Sequence, residues 1–371
     1  MSGITESYDA IIVGAGIAGI NAAYRFQEAF PLKPYAILES RNELGGTWSI
    51  FQYPGIRSDS DLYTLSFGWD PWSEADSIAP VQRIMSYLWR ITRKHGIEPH
   101  IKFNRKVLSA NWDSHEHRWT LQVNADGYVK SMTATYLYMG TGYYDGTNPY
   151  EAHIQGIERF RGAILHPQFW PKDYDYSGQK VVIIGSGATA VTMLPAMHEK
   201  AEKVTMLQRS PGYVLSLPQK DWMRTLTRLL FPRFIANALI RFRYIASAYA
   251  IFILCKMFPA AVRKYVQAEA RSQLPEDFPV EKHFAPKYNP WDQRFCIAPD
   301  GDFYKCLGTN KAAVVTDEIQ TVTEDGILLR SGSHIPADLI VTATGLRVRF
   351  LGNINITIDG GQPVRISEVS F

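Results

Sequence analysis

An α/β fold of two doubly wound units is predicted by two glycine-rich loops, each set between an apolar, β-branched run and a helix-like run. Short alternating strands between the loops add a β-meander insert to the first unit. A stretch mixing arginines with apolar residues adds a helical insertion to the second. A length of 371 residues suits two or three domains, and 46% hydrophobic with 20% charged residues is ordinary for a globular chain. A net charge of +3 argues against a general nucleic-acid surface and leaves room for local phosphate pockets.

The first strand is Tyr8 to Val13, followed by Gly14-Ala15-Gly16-Ile17-Ala18-Gly19 and a helix-like run from Ile20. In that context G-x-G-x-x-G has physical meaning. Gly14 allows the tight turn, Gly16 lets a pyrophosphate approach the backbone, and Gly19 lets helix and strand pack closely. The helix N-terminus then faces the phosphates. The next strand, Tyr35 to Leu38, ends in Glu39. A carboxylate there bonds ribose hydroxyls and repels a 2′-phosphate, so this loop suits FAD or NAD.

Gly45-Gly46-Thr47-Trp48 follows, then Tyr53-Pro54-Gly55-Ile56-Arg57-Ser58-Asp59, which reads as a loop. Val81 to Lys94 has helical periodicity, with a stop at His95-Gly96. The meander strands end in Tyr136 to Met139 and Gly140-Thr141-Gly142, a strand expected to return to the nucleotide. His115 and His117 flank a polar turn with no third ligand nearby, so no metal site is expected.

Phe160-Arg-Gly162-Ala-Ile-Leu-His166-Pro-Gln-Phe-Trp170-Pro171 lies between the two loops and reads as a stiff aromatic linker. His166 is its one imidazole, with a hinge or structural part expected rather than acid–base catalysis. The second loop follows Lys180 to Ile184 as Gly185-Ser186-Gly187-Ala188-Thr189-Ala190, with Ala190 at the third glycine position. The strand after it, Lys203 to Gln208, ends in Arg209-Ser210. A guanidinium and a hydroxyl there suit a 2′-phosphate, so this loop suits NADPH. Residues 219 to about 285 form the helical insertion, whose basic face is expected to be solvated.

The residues Gly45 to Trp48 with Tyr53 to Asp59, the segment Phe160 to Pro171, and Pro286-Lys287-Tyr288-Asn289-Pro290-Trp291-Asp292-Gln293-Arg294-Phe295-Cys296 together resemble the FAD- and NADPH-dependent, single-chain (type I) Baeyer–Villiger monooxygenases of the flavin-containing monooxygenase superfamily. Across Tyr53 to Leu65 and His283 to Arg294 the resemblance is closest to the subgroup of the ethionamide-activating monooxygenase. It runs from about Tyr8 to Gly345. The resemblance implies two Rossmann-type domains, FAD at the first loop, NADPH at the second, and Gly46, Thr47 and Trp48 beside the flavin. Arg294 is implied as the catalytic arginine, held by Asp59, with insertion of oxygen next to a ketone carbonyl and sulfoxidation as a side activity. Two alternatives stay open: a flavin-containing monooxygenase that oxidises nitrogen or sulfur, and a short, inactive NADPH-binding fragment. In the family a further long segment follows the A-T-G strand, whereas this chain stops at Phe371.

The expected domains are 1–148 for FAD, 149–335 for NADPH, and 336–371 returning to the FAD domain. Cys255, Cys296 and Cys306 form no C-x-x-C pair, as in a reducing compartment. The chain enters a strand almost at once, without a signal-peptide pattern, and no run of 18 apolar residues announces a spanning helix, so a cytoplasmic location is expected. Tyr244 to Cys255 is an uncharged run expected to form a buried helix, with peripheral membrane contact as the alternative.

Overall fold

The computed structural model describes residues 6–293 and 295–365. The chain divides into two compact units. The first takes the chain up to Ile50, then Gln82–Pro149, then the chain from Leu346 on; the second takes Phe51–Val81 and Tyr150–Gly345.

The first half of the chain supplies β1 (Glu6–Val13), α1 (Ile17–Ala29), β2 (Tyr35–Leu38), α2 (Thr47–Ile50), α3 (Leu62–Leu65), α4 (Val81–Lys94), β3 (Ile101–Lys102), β4 (Arg105–Asp113), β5 (Arg118–Ala125) and β6 (Tyr128–Met139). In the first unit β3, β2, β1 and β6 lie side by side and parallel. β6 then runs antiparallel with β5, and β5 with β4, giving the meander. A last strand, Asn355–Ile358, joins parallel to β4. β1 and β2 are apolar runs whose Ile11, Val13, Ala36 and Leu38 share one buried cluster with Val107, Leu121 and Val123 of the meander. Ile84, Leu88 and Ile91 recur at helical spacing on α4 and are buried.

The second unit contains β7 (Ala163–Leu165), β8 (Lys180–Ile184), α5 (Ala188–Met197), β9 (Lys203–Gln208), β10 (Tyr213–Leu217), α6 (Trp222–Leu230), α7 (Arg233–Met257), α8 (Pro259–Gln273), α9 (Val280–His283), β11 (Phe295–Pro299), α10 (Asp302–Leu307), β12 (Ala312–Thr316), β13 (Ile319–Val322), β14 (Gly326–Leu329), β15 (His334–Pro336) and β16 (Leu339–Thr342). Its main sheet, in the order β12-β9-β8-β16-β7, is entirely parallel. Both sheets therefore reverse strand order beside the strand that feeds a glycine loop, β1 in one and β8 in the other. Doubly wound sheets bind ligands at that position.

Five expectations need correcting. The strand expected to begin the return to the first domain at 336 is β16, and it pairs with β8 and β7 of the second unit. The crossing comes after Gly345. There the Asp145 N–H donates to Arg347 O, and Arg349 donates to the Asp145 carboxylate at 2.7 Å. The loop region from Phe51 to Val81, expected within the first domain, folds with the second unit. Gln219 Nε2 donates to Ile78 O, and Arg57 forks onto the carboxylate of Asp302.

The segment Phe160 to Pro171 is not a free linker. Its middle is β7, the edge strand of the second sheet, while Phe160 and Trp170 are buried in two different core clusters of that unit. Burying two large aromatic rings so holds the segment firmly to one unit. Finally, the helical insertion is not buried along α7, and of its arginines Arg233 is exposed while Arg224, Arg228 and Arg241 turn inward. Arg224 and Arg228 donate to Ser73 O, and Arg241 donates to the carbonyls of Tyr63 and Ser66. The guanidiniums satisfy loop carbonyls on the inner side, so the apolar residues are left outside.

Within this unit His283 is buried with Nδ1 2.7 Å from Thr316 Oγ1, and loss of solvation, with a smaller contribution from Lys282, pushes its pKa down to about 4. Below pH 6.5 the unfolded chain binds a proton that folded His283 refuses. Stability therefore falls as the pH drops from about 6.5 to about 4, by at most about 3 kcal/mol from this residue. His283→Asn is expected to flatten that part of a denaturation-versus-pH curve, and equal slopes in variant and parent would remove His283 as the cause.

Candidate functional site

In the first unit the loop after β1 is closed by three glycines in mutual contact. A Cβ on Gly19 would stand 1.8 Å from Gly14 O, and one on Gly14 would stand 2.5 Å from Gly140 O. Gly140 directly follows β6, the neighbour of β1, so the meander does return its last strand to the loop. The helix that follows, α1, starts at Gly16 with no side-chain cap and no acid in its first turn. Such an end suits an anion, because its first N–H groups point outward without a partner from within the helix.

Glu39 is buried at the end of β2. One carboxylate oxygen accepts the Ala15 N–H at 2.8 Å, and the other accepts the Arg41 N–H at 3.0 Å. The carboxylate is thus fixed against the glycine loop. Arg41 in turn donates to Ser49 Oγ and Ser49 O. Gly45 N–H donates to Ala15 O, and the Gly46 backbone lies against Gly16. Thr47 and Trp48 open α2 next to this contact, with Thr47 exposed and Trp48 half-buried. Gly14, Gly16, Gly19, Glu39, Gly46, Thr47 and Trp48 therefore gather in one unit. Their close backbone approaches leave the cradle that a pyrophosphate and its ribose need, so the residues fit FAD.

The second unit repeats the device. A Cβ on Gly185 would stand 2.3 Å from Ala343 O, just beyond β16, the neighbour of β8. α5 starts at Gly187 with no side-chain cap and no acid in its first turn, and Ala190 is fully buried within it. Arg209 and Ser210 are exposed directly after β9, which pairs with β8. Arg209 therefore emerges at the carboxyl end of the sheet, the side of the glycine loop. A donor set with a free-ended helix and a guanidinium fits NADPH.

Tyr53 comes to this second loop. Its ring is half-buried, and loss of solvation pushes its pKa up to about 12, against a hydrogen bond with the Thr189 side chain, while Asp59 adds a further upward push. Asp59 itself is exposed in the turn after Arg57. Ser186 O and Tyr288 Oη both approach Gly212, so part of the Pro286–Cys296 stretch also reaches the loop. Arg294 lies outside the described residues. His166 is half-buried: Nδ1 accepts the Gln168 N–H at 3.2 Å, and burial lowers its pKa against a backbone hydrogen bond with Gly345. Among the described residues no group of three His, Cys, Asp or Glu side chains gathers as for a metal. Sequence reading missed Arg57–Asp302 and Tyr53–Thr189. No local signal marks either pair, since each joins residues more than a hundred positions apart.

A family model described as pyridine nucleotide-disulphide oxidoreductase matches residues 11–228. The chain is 47% identical to the FAD-containing monooxygenase EthA of Mycolicibacterium smegmatis, over 98% of this chain and 74% of that protein. It is 43% identical to the probable FAD-binding monooxygenase AlmA of Acinetobacter baylyi, over 97% of this chain and 72% of that protein. Among solved structures it resembles an oxidized steroid monooxygenase bound to NADP, with 25% identity, a TM-score of 0.75, and coverage of 96% of this chain and 75% of that one.

Proposed function

The chain belongs to the FAD-containing monooxygenases, and from that premise we propose that it inserts one oxygen atom of O2 next to the carbonyl of a small-molecule ketone, at the expense of NADPH. The monooxygenase reaction and its two cofactors follow from membership; the ketone is the proposal. The observation that carries it is the fold of Phe51–Val81, which leaves the first unit and joins the one that holds Pro286–Phe295. Two stretches of the Baeyer–Villiger resemblance, Tyr53–Asp59 and Pro286–Gln293, thereby belong to one compact unit. Trp170-Pro171 at the end of the Phe160 segment supports the same reading.

FAD, when bound, would supply the activation of O2, with NADPH as the reductant. The chain's own residues supply binding and charge. Glu39 takes the ribose hydroxyls of FAD, Arg209 and Ser210 take the 2′-phosphate of NADPH, and the two uncapped helix ends take the pyrophosphates. Arg294 holds the negative charge that develops on oxygen as the ketone carbonyl is attacked, and Asp59 keeps the guanidinium in place. A well-placed donor of this kind contributes on the order of 3 kcal/mol to the rate. The balance is ketone, O2, NADPH and a proton to ester, NADP+ and water.

Arg294→Ala is expected to lower esterification by about 100-fold or more while NADPH still bleaches the bound flavin under nitrogen. Unchanged ester formation would refute the role of Arg294.

A further inference from the structure

α6 and α7 form an antiparallel hairpin. Tyr244 Oη donates to Asp221 just ahead of α6, and Arg228 near the end of α6 reaches Asn237 near the start of α7. The inner side of this hairpin is fixed by Arg224, Arg228 and Arg241 to the carbonyls of Ser73, Tyr63 and Ser66. The outer side is apolar. Leu229 is 79% exposed, Phe234 75%, Phe242 70% and Tyr249 66%. On α7 the positions 234, 238, 242, 245 and 249 follow helical spacing, so Phe234, Phe242, Ile245 and Tyr249 form one stripe along the helix. Trp222, Leu226 and Leu229 continue it on α6.

This helix is 25 residues long and apolar enough to cross a membrane by length and composition, with 11% of its most apolar window buried. Crossing would tear Arg241 from two carbonyls and Arg243 from Asp221, so the helix stays on the surface of its unit. The charge pattern selects what covers it. From Trp222 to Ala268 the chain carries eight arginines and lysines and no aspartate or glutamate. Exposed Arg233 stands at one end of the stripe and exposed Lys264 on the helix beyond the other. An in-plane helix with an apolar face, cations at its margins and aromatic rings such as Trp222 and Tyr265 is the pattern that sits in the headgroup layer.

We propose that the outer face of α6 and α7 docks on an anionic lipid bilayer, holding the protein on a membrane surface without spanning it. The stripe enters the boundary between headgroups and acyl chains, and exposed Arg233 and Lys264 meet the lipid phosphates.

The FAD-loaded chain is expected to float with vesicles of phosphatidylcholine and phosphatidylglycerol, and to bind vesicles of phosphatidylcholine alone about 10-fold more weakly. The triple variant Phe234→Ser, Phe242→Ser, Tyr249→Ser is expected to lose binding by about 10-fold or more while keeping its flavin spectrum. Should that variant fail to fold, brominated acyl chains serve as the second measurement. They are expected to quench the tryptophan fluorescence of the parent chain, and Trp222→Phe to remove most of that quenching. Absence of flotation with the anionic vesicles overturns the proposal. So does a chain that self-associates through this face and leaves vesicles unbound, and so does an absence of quenching. Ester formation from ketones is not read in any arm, so this result and the catalytic proposal fail separately.

Discussion

Gly19→Ala is expected to yield protein with no visible flavin absorbance, even after dialysis against FAD. The added Cβ would stand 1.8 Å from Gly14 O, a backbone atom with nowhere to go, because Gly14 is itself packed on Gly140 O. The helix α1 must then lift from β1, and its N-terminal N–H groups move away from where a pyrophosphate is held. Overpacking of a closed backbone contact costs about 1–3 kcal/mol in an adaptable core and more where backbone meets backbone. A loss of flavin affinity of about 100-fold or more is therefore expected. The second unit has its own sheet and its own loop, so binding of NADP+ by calorimetry is expected to persist. Retention of flavin by Gly19→Ala would remove the first loop as its site, and loss of NADP+ binding as well would mean that the chain had simply failed to fold.

Arg209→Ala is expected to raise the KM for NADPH by about 10- to 100-fold, the loss of a charged hydrogen-bonding partner worth about 1.5–3 kcal/mol. The KM for NADH is expected to change by less than about 2-fold, since NADH has no 2′-phosphate for Arg209 to meet. Arg209 is exposed after β9 and serves no core contact that truncation would damage. The flavin spectrum is expected to be unchanged. Equal losses for the two nucleotides would contradict the assignment of Arg209 to the 2′-phosphate.

Both loops were legible in the sequence because their signal is local: an apolar run, glycines at fixed offsets, a helical pattern and one residue at the end of the next strand. The meander and the α4 helix were legible for the same reason. What escaped was long-range pairing. Leu339 to Thr342 reads as a buried strand, but nothing in those residues states that the partners are Val181 to Ile184 and Ala163 to Leu165. The glycine and prolines of Phe160 to Pro171 suggested a linker, while the burial of Phe160 and Trp170 depends on elements far along the chain. The excursion of Phe51–Val81 into the second unit rests on contacts such as Arg57–Asp302, invisible to any window. Along α7, Arg241 and Arg243 interrupt the apolar run when it is counted in a line. On the helix Arg241 turns inward, and Arg243 is held by Asp221, so the outer stripe stays unbroken.

Product analysis under 18O2 tests oxygen insertion beside a ketone most directly. The FAD-loaded chain is to be supplied with NADPH, a methyl ketone and labelled oxygen, and the products are to be read by mass spectrometry. The expected result is an ester carrying one labelled atom in its newly formed C–O–C linkage, formed in step with NADPH oxidation. NADPH oxidation with no ester, alongside labelled sulfoxide from a thioether, would contradict the ketone reading and leave sulfur oxidation in its place.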